Sequence, residues 1–126
     1  MTDTQIAPKF TAEAWAAFWA APDPSRIGAL LAEDIVGHWP GDPKPVRGRA
    51  DYVAKIAGVL EALPDLRLQL EDSATVAGDT AAEELIFLHY TGTGAGGEVT
   101  IRGMDRVRTR DGIVVENVIR YDLSEL

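Results

Sequence analysis

A chain of 126 residues, 46% apolar and 25% charged, has the make-up of one soluble globular domain, and a single domain over residues 1–126 is expected. Twelve basic residues against twenty acidic ones leave a net charge of -8, which repels phosphate backbones and excludes nucleic acid as a partner. With no cysteine and only two histidines, His38 and His89, disulfides, thiolate chemistry and cysteine-ligated zinc are excluded, and no paired metal ligands are in sight.

Residues 1–8 are expected to form a loose tail. Met1 to Ala12 lacks the basic, apolar, then small-residue order of a secretory signal, and no apolar stretch approaches the roughly 20 residues that span a bilayer. A cytoplasmic location without membrane contact is therefore expected. Thr11 can cap a first helix in which Trp15, Phe18 and Trp19 share one face and Pro22 ends the run. Asp23 followed by Pro24 predicts the start of a second short helix, carrying Ile27, Leu30 and Leu31 and ending near Asp34. "IVGHWPGDPKPVRG" reads as a short strand passing into a loop, after which Val53, Ile56, Leu60 and Leu63 predict a third helix stopped by Pro64. Beyond Pro64 the period changes to two: Leu66, Leu68 and Leu70 alternate with polar residues, and "TAAEELIFLHYTG", "EVTIRGMDRVRT" and "IVVENVIRYDL" predict further strands. Helices followed by an antiparallel meander give an α+β arrangement.

"GTGAGG" fits the glycine spacing of a dinucleotide-binding turn. That chemistry needs a helix N-terminus to receive the pyrophosphate, and a strand follows instead, so a hairpin loop is expected. Asp111-Gly112 is a two-residue hairpin signal. A regular hairpin about it sets Asp105 opposite Val118, Gly103 opposite Arg120 and Ile101 opposite Asp122, so that Asp105, Arg120 and Asp122 share one largely apolar face. An apolar pocket on that face would raise a carboxylate's pKa and suit it to move a proton; the alternative is a structural ion pair through Arg120. His38 is a further candidate for acid or base work near neutrality, or else a hydrogen-bonded surface histidine. Of His89 and Tyr90 only one can face inward. Trp15, Trp19, Trp39 and Met104, with Tyr90, are candidates for a substrate-binding wall, or simply for core.

Three helices before a long antiparallel sheet, with "LLAEDIVGHWPG", "VRGRADYVAKI", "RGMDRVRTRDGIVVE" and a terminal "RYDL", resemble the nuclear transport factor 2-like superfamily, above all its SnoaL-like polyketide cyclase and ketosteroid isomerase-like branches. The resemblance runs from about Thr11 to the end. It implies a cone-shaped α+β barrel in which a curved sheet wraps the helices around a pocket, and a homodimer. It also implies that Asp122 stands where SnoaL-like cyclases place their acid/base aspartate, and Asp105 where the isomerases hold a protonated aspartate in an oxyanion hole. Trp39 and Trp15 occupy the positions of the isomerase base and phenol, so steroid isomerisation by that route is not expected. The expectation is a cofactor-independent enzyme acting on a small apolar carbonyl compound. Asp122 would be the acid/base, Asp105 or His38 the donor to an oxyanion, and Arg120 would tune the carboxylates. A non-catalytic ligand-binding or dimerisation module of the same fold is the alternative.

Overall fold

The computed structural model describes residues 9–124, and the expected tail over residues 1–8 lies outside them. Helix α1, Ala12–Ala20, starts as its sequence dictates, with the Ala14 N–H donating to Thr11 Oγ1 at 3.0 Å and Trp15 buried. The second expected helix does not form. Asp23 does cap, accepting the Ser25 N–H at 3.1 Å, but the chain makes only two short 3-10 turns, Pro24–Arg26 and Gly28–Leu30, before entering strand β1, Leu31–His38. A run this short, with Gly28 inside it, cannot offset the cost of helix nucleation, whereas the strand buries Leu31 and Ile35 directly. Three expected N-terminal helices are thus corrected to two. After the short strand β2, Val46–Arg47, helix α2 runs over Arg49–Ala62, just short of Pro64, and buries Tyr52 and Ile56. No helix among the described residues is long and apolar enough to cross a membrane.

Strands β3 (Arg67–Ala77), β4 (Glu83–Gly94), β5 (Val99–Arg110) and β6 (Ile113–Ser124) form the expected antiparallel meander. Strand β1 then lies parallel to β6, giving a six-stranded sheet of order β2-β1-β6-β5-β4-β3. The sheet is therefore mixed, a correction to the purely antiparallel expectation. The chain between β1 and β6 holds α2 and the four strands β2 to β5, ample for the crossover that a parallel pair requires. "GTGAGG" is the expected hairpin loop: β4 turns through Ala95–Gly97 into β5, and the amides of Ala95 and Gly96 each donate to the Asp65 carboxylate at 2.8 Å.

Asp111 and Gly112, at φ 53 and 81, make the expected tight turn, and Arg110 pairs with Ile113. The regular register lasts one pair further, to Thr109 and Val114. Val115 is then an extra residue, a β-bulge, and Arg108 pairs with Glu116. Beyond it Asp105 lies opposite Ile119, and Arg102 opposite Asp122. Every side chain past the bulge thereby faces opposite to the expectation. Asn117, Ile119 and Tyr121 point inward with Ile101, Asp105 and Val107, while Glu116, Val118, Arg120 and Asp122 point outward. A hairpin without the bulge would bury three charged side chains and expose Ile119; one unpaired residue costs less than desolvating those charges.

Candidate active site

Between the helices and the inner sheet face lies a cavity of about 150 Å³. Its walls are mostly apolar, from Trp15 and Trp19 of α1, Trp39 just after β1, Ile56 of α2, Leu68 of β3 and Ile101 of β5. Besides Tyr121, four polar side chains from four different elements line it and join up: Tyr52 (α2), Tyr90 (β4), Asp105 (β5) and Asn117 (β6). Tyr90 Oη donates to Asp105 Oδ1 at 2.8 Å, and Asn117 Nδ2 donates both to Asp105 Oδ2 at 3.1 Å and to Tyr52 Oη at 3.0 Å. The result is a continuous chain, Tyr90–Asp105–Asn117–Tyr52, inside an otherwise greasy chamber.

Two glycines make the chain possible. Gly103 lies opposite Tyr90 across the β4–β5 pair, and a Cβ there would sit 2.7 Å from Tyr90 Oη. Without one, the phenol lies flat across β5 and reaches Asp105 on the next inward position. Gly37 neighbours Asn117 across the β1–β6 pair, and a Cβ there would come within 2.8 Å of the Tyr52 ring and 2.5 Å of Trp39. Glycine inside a strand marks such a close approach. Behind each phenol stands an indole: Trp15 lies 5.0 Å from Tyr90 and Trp39 lies 5.0 Å from Tyr52, between ring centroids.

Asp105 is 5% exposed. Burial pushes its carboxyl up from 3.8 to about 6, against the opposing pull of the hydrogen bonds from Tyr90 and Asn117, which favour the ionised form. Burial also raises both phenols, so Tyr52 and Tyr90 stay protonated at neutral pH. Asp105 can thus take up or release a proton near neutrality, with phenol and amide donors around it.

The structure brings together Asp105, Tyr90, Trp15, Trp19 and Trp39 from the expected set, and leaves out the rest. Of His89 and Tyr90, Tyr90 faces inward; His89 points outward, 3.5 Å from Asp72. Asp122 and Arg120 are exposed on the outer face because of the Val115 bulge, so the expectation that they share the pocket with Asp105 is corrected. Met104, expected as a wall residue, is 52% exposed on the same outer face. His38 is also outside. It alternates with the inward-facing Gly37 and Trp39, and its Nε2 lies 3.3 Å from Glu116 Oε2, in a network that includes Arg106 at 3.1 Å from Glu116 Oε1. Tyr52 and Asn117 were not singled out from the sequence. Gly37 and Gly103, each inside a strand, were the available signals.

Residues 12–117 match the family model described as the SnoaL-like domain. No curated protein matches the chain. Among solved structures, it is similar to a protein of Pseudomonas putida KT2440 named as a candidate polyketide cyclase, at 17% identity over 90% of this chain and 92% of the other, with a TM-score of 0.67. An NTF2-like protein of unknown function from Mesorhizobium loti superposes with a TM-score of 0.68 at 24% identity, over 87% and 86% of the two chains. A protein of ketosteroid isomerase-like fold from Catenulispora acidiphila, in complex with trimethylamine, gives a TM-score of 0.67 at 19% identity, over 87% and 83%. These likenesses establish the fold, and the match over residues 12–117 makes the chain a member of the SnoaL-like domain family, built on the NTF2-like α+β fold.

Proposed function

We propose that this SnoaL-like domain is a cofactor-independent enzyme that binds a small apolar molecule bearing a carbonyl group and moves a proton on it, with Asp105 as the acid/base. The observation that carries the reading is a carboxyl 5% exposed, in an apolar cavity, whose pKa is raised to about 6. A group poised there is ionised enough at neutral pH to take a proton α to a carbonyl, and weakly acidic enough to return it. The Tyr52 hydroxyl accepts from Asn117 and keeps its own proton, which suits it to donate to the oxyanion that forms as the α-proton leaves. Proton abstraction of this kind opens both aldol-type cyclisation and isomerisation, in keeping with the names of the structural neighbours. The conical barrel and the homodimer implied by the family resemblance, together with the cytoplasmic location expected from the sequence, belong to the same proposal; sedimentation velocity tests the dimer.

A test that needs no knowledge of the product follows the α-protons of a panel of small ketones in deuterated water by NMR. The wild-type protein is expected to speed their exchange, with a rate that rises as pH passes through about 6, and Asp105→Asn is expected to abolish the effect. Ligands that bind without any protein-dependent exchange would instead identify a non-catalytic binding module.

A further inference from the structure

The chamber around Asp105 has a neighbour. Another cavity, of about 280 Å³, lies between α1 and the two 3-10 turns, lined by Ala14, Ala17 and Phe18 of the helix and by Leu30, and bordered by the exposed Asp23 and Arg26. Phe10, Trp15, Trp19 and Ile27 line both cavities, so these four side chains form the partition between them. Trp15 is buried and tied to the polar chain through Tyr90, 5.0 Å away between ring centroids. Trp19, one helical turn on, is only half-buried. Its ring lies 6.4 Å from Trp15 and meets Phe18, a residue of the outer cavity alone, edge-on at 5.0 Å.

Size is what the partition controls. A pocket for a drug-sized molecule encloses about 300–1,000 Å³. The chamber around Asp105, at about 150 Å³, is close to an engineered apolar cavity that holds benzene. One six-membered ring fills it. Protein interiors are close-packed, so a second fused ring would have to displace wall side chains. Beyond the α1 wall there is room already, and loss of the Trp19 indole would join the two hollows into a space of the size that takes larger ligands.

We infer that the site is restricted to carbonyl compounds of a single ring, and that Trp19 is the specificity-determining residue that sets the limit. This rests on the reading of the Asp105 chamber as the substrate site. Trp19 acts by occupying space and takes no part in moving the proton. Leu30 supplies the contrast: it lines the outer cavity but not the chamber, so truncating it enlarges the one without opening the other.

Dissociation constants measured by NMR titration for cyclohexanone and its two-ring counterpart 2-decalone test the limit. The wild-type protein is expected to favour cyclohexanone by about tenfold or more, although decalone is the more apolar and would win on hydrophobic burial alone. Trp19→Ala should bring the ratio to about one or below, Trp19→Phe should fall between, and Leu30→Ala should leave the wild-type ratio in place. A wild-type ratio of one or below, a preference unchanged in Trp19→Ala, or a shift in Leu30→Ala as large as that in Trp19→Ala would each overturn the inference; failure of both ketones to bind would remove the underlying reading with it. Should Trp19→Ala fail to fold in a circular dichroism melt, the wild-type ratio together with that of Trp19→Phe decides. Size preference without α-proton exchange would uphold this inference while removing the catalytic reading; exchange of decalone α-protons as fast as those of cyclohexanone would do the reverse.

Discussion

Replacing Asp105 by asparagine should make the protein more stable at neutral pH. In the folded protein the carboxyl titrates at about 6, against 3.8 for the same group in water. Because the folded value is the higher one, the stability contributed by the protonated form is fully present below pH 3.8 and is lost as pH rises through about 6. At about 1.36 kcal/mol per pK unit, the loss amounts to about 3 kcal/mol. Asparagine carries no charge to desolvate and can still accept from Tyr90, so it avoids that loss. Urea unfolding of both proteins, measured from about pH 3.5 to about pH 7.5, gives the difference in stability at each pH, and the titrations of all other groups cancel in it. The difference is expected to shift by about 3 kcal/mol in favour of Asp105→Asn as pH rises. Parallel curves for the two proteins would refute the argument, for they would mean that the carboxyl titrates alike in the folded and unfolded chains.

The two glycine gaps and the outer face give further expectations. Gly103→Ala sets a methyl group 2.7 Å from Tyr90 Oη, so it should push the phenol off Asp105, at a cost of about 1–3 kcal/mol in stability. Loss of that hydrogen bond removes one of the influences holding the carboxyl down, so the pKa of Asp105 followed by carbon-detected NMR should rise further; an unchanged value would show that Tyr90 does not tune it. Asp122→Asn and His38→Ala, on the outer face, should each change stability by no more than about 0.5–1 kcal/mol and leave the exchange of ketone α-protons intact. A loss of exchange in Asp122→Asn would return that residue to the chemistry.

The meander was legible because alternation and turn chemistry are local properties. Leu66, Leu68 and Leu70, the Asp111-Gly112 bend and the refusal of a dinucleotide site at Gly92–Gly97 all rest on a few adjacent residues. The facing of β6 was not, because a bulge inserts one residue without altering the turn, and two consecutive valines can sit on either side of it. A charge count would have located it: only a phase change between Val114 and Asn117 keeps Glu116, Arg120 and Asp122 in water and Ile119 out of it. The stripe of Ile27, Leu30 and Leu31 failed for another reason, since three apolar residues near Gly28 suit a strand entrance as well as a helix. Asp105 and Tyr90 were found, whereas Tyr52 and Asn117 escaped because their partnership spans 65 positions and depends on the missing side chain of Gly37.

Tyr52 is the one member of the polar chain that rides on α2; Tyr90, Asp105 and Asn117 belong to the sheet. Lifting that helix would admit water to the carboxyl and restore its ordinary acidity. At pH values between 3.8 and about 6, each such opening would therefore expel a proton to the medium and each reclosing would recapture one. Breathing of the helical layer and protonic traffic become a single event, with acid acting as a clamp on the door and alkali as its release.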